Sequence, residues 1–207
     1  MLSAVFTGIV QHLGSVAAIS QTAAGRRLTI DLAGWSHAPA LGESIAVNGC
    51  CLTVADVALG KSLAHFDVIH QTLRLTTIGE LSVEHRVNLE HSVTPSTMLG
   101  GHIVQGHVDG VGRIVAVNRS EGEIRLRINP PAVESMRLVV DKGSIAVNGV
   151  SLTVAGVGPD WFEVALIPTT LALTNLGSLR VGAGVNLEFD YVAKVVANWL
   201  DRRSAQK

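Results

Sequence analysis

A thiol at Cys51 and a hydroxyl at Ser151 occupy matching positions in a motif that the chain carries twice. Val47-Asn48-Gly49-Cys50-Cys51-Leu52-Thr53-Val54-Ala55 returns as Val147-Asn148-Gly149-Val150-Ser151-Leu152-Thr153-Val154-Ala155, with seven of nine residues identical. Thiol and hydroxyl groups at these positions can offer hydrogen bonds to a polar or anionic ligand. Cys50 and Cys51 are adjacent, which excludes an ordinary structural disulfide between them, and as the chain's two cysteines they form no metal-ligand pattern. All eight histidines lie at or before residue 107, and His102 with His107 invites a metal reading. Five residues apart, those two face opposite sides of a straight strand, unlike the i, i+4 pair of a helical zinc site. His12, His37, His65, His85 and His91 read as ordinary surface or core histidines.

The element that positions the paired motifs is a strand. Val150, Leu152 and Val154 share one face and form a barrel interior, which leaves Gly149, Ser151 and Thr153 on the other. By repeat equivalence Cys50 points inward as a small hydrophobe and Cys51 outward. The duplication extends along the chain: Thr72-Leu73, Thr76 and Gly79 answer Thr170-Leu171, Thr174 and Gly177, and Val87-Asn88-Leu89-Glu90 answers Val185-Asn186-Leu187-Glu188, both 98 residues on. Ile9-Val10-Gln11 pairs with Ile103-Val104-Gln105 and Gly14 with Gly112, which places four added residues of the second copy within Gly106–Val111.

Each copy reads as short runs such as Arg27–Leu32 and Glu123–Ile128, broken by Gly, Pro, Asn and Asp, so about six strands per copy are expected. The 21 glycines and 4% aromatics of the 207 residues fit many tight turns rather than a helical bundle. A formal net charge of −1 with 16% charged residues provides no basic field for nucleic acid. No apolar run reaches the roughly 18 residues of a membrane span. The first basic residue, Arg26, comes too late for a secretory signal, so a reducing cytoplasm is the expected location. Only the end of the chain reads as a long helix, with Val192, Val195, Val196, Trp199 and Leu200 in one stripe. The fold expected is all-β, two similar six-stranded Greek-key-like barrels over residues 1–98 and 99–190, with a C-terminal helix over 191–207. Ser92–Gly101 joins the copies.

Several motifs in order give these features a family context: Phe6-Thr7-Gly8-Ile9-Val10, Asn48 to Val54, Gly100-Gly101-His102-Ile103-Val104-Gln105-Gly106-His107-Val108-Asp109-Gly110, Lys142-Gly143 and Ser151 to Val154. Together they resemble the riboflavin synthase family over nearly the whole chain. That resemblance implies a dismutation in which two molecules of 6,7-dimethyl-8-ribityllumazine exchange a four-carbon unit, giving riboflavin and 5-amino-6-ribitylamino-pyrimidinedione. Neither metal nor cofactor is implied. A reaction between two identical molecules needs two similar pockets, and a duplicated barrel supplies one per copy.

By position, the resemblance implies that Cys51, His107, Ser151 and Thr153 carry the chemistry, with the His107 imidazole a candidate proton shuttle. Substrate contacts are implied for Phe6, Thr7, Gly8, Ile9, Val10, Cys50, Leu52, Thr53, Asp67, Gln71, Thr72, Gly106 and Val108. In the second copy and its flanks they are implied for Lys142, Leu152, Leu166, Ile167, Pro168, Thr169, Thr170 and Asp190. The family further implies a homotrimer organised by the C-terminal helix, facing barrels from neighbouring subunits with Lys142 reaching across, and association with lumazine synthase. Gln71 stands where Glu is common in the family, and Met1-Leu2-Ser3-Ala4 with Val5 precede Phe6. The competing reading is an antenna-type lumazine- or flavin-binding protein that catalyses nothing.

Overall fold

The computed structural model describes residues 4–58 and 62–205; Met1 to Ser3 of the leading extension lie outside the described residues. The first copy contributes β1 (His12–Thr22), β2 (Gly25–Asp31), β3 (Ser44–Val47), β4 (Cys50–Ala58), β5 (Leu63–Ile69), α1 (His70–Leu75) and β6 (Arg86–His91). The second contributes β7 (Gly110–Ser120), β8 (Glu123–Asn129), β9 (Ser144–Val147), β10 (Val150–Val157), β11 (Phe162–Leu166), α2 (Pro168–Leu173) and β12 (Gly184–Phe189), and α3 (Tyr191–Ser204) follows. Each copy closes into a six-stranded antiparallel barrel, in the orders β1-β2-β5-β4-β3-β6 and β7-β8-β11-β10-β9-β12. Closure leaves no unpaired sheet edge and encloses inward residues such as Ile30, Val47 and Phe66, or Ile128, Val147 and Phe162. Each such side chain contributes roughly 1.5–3 kcal/mol by leaving water.

The Asn-Gly pairs make the tight hairpins that join β3 to β4 and β9 to β10. Asn48 and Gly49 take φ values of 46° and 76°, and Asn148 and Gly149 take 46° and 77°, which is the type I′ requirement. These hairpins meet where the barrels dock. A Cβ on Gly49 would sit 2.6 Å from the Gly149 nitrogen, and the reverse distance is also 2.6 Å. The Asn88 amide donates to the Asn148 carbonyl at 2.9 Å and the Asn186 amide donates to the Asn48 carbonyl at 2.8 Å, so the seam is reciprocal and close to twofold.

Each copy also sends its leading segment across that seam. Phe6 and Val104 pair with each other, and with Ala46 and Ala146 they form a small core between the barrels. Beyond them Val10 packs on the second barrel's core and Val108 on the first barrel's core. The crossing overturns the expected four-residue insertion. Gly8 and Gly106, at φ 74° and 73°, are the equivalent positions, so Phe6–Val10 matches Val104–Val108 with an offset of 98 and no residue is gained. The repeated Ile-Val-Gln tripeptides are therefore not structural counterparts. The gain lies instead between β8 and β9, where the offset rises from 98 to 100, and it is lost again between β10 and β11.

Helix α3 starts with the Asp190 carboxylate accepting the Val192 N–H and ends near Arg202 and Arg203, which suit a helix C-terminus. Lys194 ties it to the barrel through Asp109 at 2.6 Å. Among the described residues no helix is long and apolar enough to cross a membrane.

Candidate active site

Two outer faces carry the paired motifs, one on each barrel. On β4 the Thr53 side chain is exposed and Cys51 half-buried, and on β10 Thr153 and Ser151 repeat that pattern. Ser44 and Ser144, opposite Thr53 and Thr153 on the neighbouring strands, add a hydroxyl to each face. The other barrel's leading segment covers each face from one side: the Cys51 N–H donates to the Gly106 carbonyl at 2.9 Å, and the Ser151 N–H donates to the Gly8 carbonyl at 2.8 Å. Only glycine fits at these crossings, because a Cβ at Gly106 would lie 2.5 Å from Cys51 Cβ and one at Gly8 2.6 Å from Ser151 Cβ. His107 and Ile9, the next residues, are exposed. The first face thus receives His107, and the second receives Ile9.

Two buried glutamates hold the crossings. On β6 the Glu90 carboxylate accepts from the Thr7 N–H at 2.7 Å, the Thr7 hydroxyl at 2.7 Å and the Gly8 N–H at 3.0 Å. On β12 Glu188 accepts from the Gln105 N–H at 2.7 Å, while its Oε2 has no hydrogen-bonded partner among the described residues. Burial pushes both carboxyls above their ordinary value. Hydrogen bonds from Thr7 and Gly8 oppose that shift at Glu90, and the Gln105 and Gly106 backbone and the Lys194 ammonium oppose it at Glu188.

The thiols are not poised as nucleophiles. Burial raises Cys50 to about 12 and also raises Cys51, against a hydrogen bond with the Ser44 side chain that favours the thiolate. Cys51 therefore offers a thiol donor at neutral pH. Ser151 Oγ lies 2.7 Å from His102 Nδ1, and burial keeps the His102 pKa low while nearby Asp190 opposes that shift.

The remaining expected contacts divide by placement. Gln71 and Thr72 lie in the first turn of α1, and Ile167, Pro168, Thr169 and Thr170 occupy the matching turn into α2. Lys142 is exposed in the turn before β9 and holds φ 61°, where the first copy has Gly42. A lysine in that conformation is mildly strained. Asp190 lines a cavity of about 580 Å³ with Gly143, Ser144 and the Val192, Val196 and Leu200 side of α3.

Several residues implied as substrate contacts have enclosed side chains. Cys50, Leu52, Leu152 and Leu166 point into the barrel cores, because they hold the inward positions of alternating strands. Phe6 is fully buried between the barrels and the Thr7 side chain is consumed by Glu90, so both support the crossing. Asp67 lies on the outside of β5, paired with Arg27 at 2.7 Å. Glu90, Glu188 and His102 are not among the site residues expected from the sequence. The repeated Val-Asn-Leu-Glu motif already marked the two glutamates.

Comparison with known proteins places this arrangement. The lumazine binding domain family matches twice, at residues 7–92 and 105–190. Riboflavin synthase of Mycobacterium tuberculosis is 51% identical over 194 residues, covering 92% of this chain and 96% of that protein. Riboflavin synthase of Actinobacillus pleuropneumoniae is 38% identical over 202 residues, covering 98% and 93%. Among solved structures, LumP complexed with 6,7-dimethyl-8-(1'-D-ribityl) lumazine superposes with a TM-score of 0.79 at 28% identity, covering 89% of this chain and 98% of that one. With two matched domains and about half its residues shared with such a relative over nearly full length, the chain belongs to the riboflavin synthase family, enzymes of riboflavin biosynthesis.

Proposed function

We propose that the chain converts two molecules of 6,7-dimethyl-8-ribityllumazine into riboflavin and 5-amino-6-ribitylamino-pyrimidinedione. The observation that carries this reading is the presence of a polar ligand face on both barrels, with Cys51 and Thr53 on one and Ser151 and Thr153 on the other. A protein that only held a chromophore would need one. The four carbons leaving one molecule enter the other, so the exchange needs no external oxidant and no cofactor. Hydroxyl, thiol and backbone groups on each face hold the heterocycle and the anion formed when its C7 methyl loses a proton. His107 reaches the first face from the crossing segment as a candidate proton shuttle.

The second face opens beside the cavity that Ser144 and Asp190 line with α3, an arrangement that suits closure by a second chain. The stripe of α3, Val192, Val195, Val196, Trp199 and Leu200, is half or more exposed and forms the trimer contact in this reading. Facing barrels then come from neighbouring subunits, with Lys142 reaching across the junction. The cytoplasm is the proposed location and lumazine synthase the proposed associate. Incubating the purified protein with the lumazine should give growing flavin fluorescence, whereas tight binding without flavin would make it an antenna-type binding protein. Truncation after Asp190 should yield monomers by light scattering with strongly reduced turnover; a trimer surviving truncation would remove α3 from this role.

A further inference from the structure

A hydroxyl–imidazole pair stands at the second ligand face, where the first face has the Cys51 thiol. His102 is 8% exposed, its Nδ1 sits 2.7 Å from Ser151 Oγ, and its Nε2 is enclosed with no hydrogen-bonded partner among the described residues. The backbone that delivers the ring leaves no room for variation. A Cβ at Gly101 would lie 2.1 Å from the Thr7 carbonyl oxygen and 2.9 Å from Ser151 Oγ, so the preceding residue has to be glycine. With the offset of 98 set by Gly8 and Gly106, the first copy has Ala4 where the second has His102, so the imidazole that reaches the Cys51 face is the exposed His107 and not a buried ring.

We infer that His102 is a positioning residue of the second half-site, fixing the Ser151 hydroxyl and so making the two half-sites chemically distinct. This inference rests on the lumazine reaction proposed above. An isolated serine hydroxyl rotates among staggered positions, and each must be lost before the group acts on a ligand. Bonded to a buried ring that cannot turn, the hydroxyl is held in advance, with its remaining hydrogen-bonding capacity free for the outer face. The burial that fixes the ring also keeps it neutral, so it exchanges one hydrogen bond with Oγ rather than adding a charge to the face.

The test is a double-mutant cycle on the full chain, with His102→Ala, Ser151→Ala, their combination, and Cys51→Ala as the reference from the other face. His102→Ala should lower kcat about tenfold with KM changed by less than about twofold, the loss expected for one directed hydrogen bond. The His102→Ala/Ser151→Ala protein should be no slower than Ser151→Ala alone, while His102→Ala and Cys51→Ala should multiply. His102→Asn, whose amide occupies the place of Nδ1, should recover most of the lost kcat. The ring's nitrogen resonances should also shift in Ser151→Ala, a readout that needs no turnover. Losses at 102 and 151 that multiply independently, no recovery with Asn, or ring resonances indifferent to residue 151 would each overturn the assignment. Absence of flavin from the unaltered protein would sink the proposed function instead, and the resonances would still decide the His102–Ser151 pair.

Discussion

Thr7–Gly8 and Gln105–Gly106 follow one backbone path between the barrels, yet they are anchored with different strength. Glu90 takes three hydrogen bonds from the first segment, whereas Glu188 accepts from the Gln105 N–H and, among the described residues, its Oε2 has no hydrogen-bonded partner. The faces beneath differ in the same sense: Ser151 is tied to a buried imidazole, and Cys51 to the Ser44 side chain. Duplication has preserved the geometry that needs glycine and a carboxylate, and relaxed the side-chain chemistry around it. Backbone sterics tolerate no substitute at Gly8 or Gly106, while a hydrogen-bond donor can be replaced at modest cost.

The equality of the two glycines is the easiest part of this comparison to break. Gly8→Ala and Gly106→Ala each combine a left-handed backbone with a sub-3 Å approach to the opposite strand, and each should destabilise by about 3 kcal/mol in urea unfolding. A loss below about 1 kcal/mol at either position would show that the crossing can shift.

The glutamates sharpen the inequality. Glu90→Gln should cost about 2 kcal/mol and Glu188→Gln about 1 kcal/mol or less, since the second removes a buried charge that is poorly compensated. Both carboxyls titrate higher folded than unfolded, so their contribution is complete below the ordinary glutamate range and declines as pH rises through the folded value. Unfolding free energy measured upward from the ordinary glutamate value should fall less steeply in Glu188→Gln than in the parent. An unchanged slope would mean that Glu188 is solvated in the folded chain.

The adjacent cysteines test inward against outward placement on one strand. Cys50→Ala should lower stability by about 1 kcal/mol through a small cavity, while Cys51→Ala should reduce turnover with little change in melting temperature. Neither thiol should alkylate at the rate of a free cysteine near neutral pH, because burial keeps both protonated. Rapid modification of Cys51 at pH 7 would contradict its raised pKa. The smallest effect is expected at Lys142→Gly, which copies Gly42 of the first barrel: relief of the positive φ should leave stability within about 0.5 kcal/mol of the parent. Turnover should nonetheless fall if Lys142 meets the substrate.

Much of this architecture was written in local signals. The Asn-Gly hairpins, the alternation around Cys51 and Ser151, and the stripe of α3 each depend on neighbours within a few residues, and each appears where the sequence puts it. The crossing was not legible for a specific reason. Ile9-Val10-Gln11 and Ile103-Val104-Gln105 match as letters, while the true equivalence is set by a positive φ and a distant carboxylate, neither of which leaves a contiguous pattern. The same error hid His102. A straight strand separates it from His107 by face alone, but the backbone turns at Gly106, leaving His102 buried against the second barrel and His107 exposed over the first.

The exchanged segments also constrain how the molecule comes into being. Gly8 is made before the second barrel, and its carbonyl finds the Ser151 N–H only after more than a hundred further residues have been added. At roughly 5–20 residues per second of synthesis, the leading segment spends several seconds or more without its barrel. The first barrel meanwhile closes its own sheet but lacks Gly106–Val108 over Cys51. Assembly should therefore run in two stages, barrels first and crossings last, with the slow stage set by contacts of great sequence separation. During that interval Phe6 is an unburied aromatic, and a neighbouring nascent chain presents the same unfilled seam.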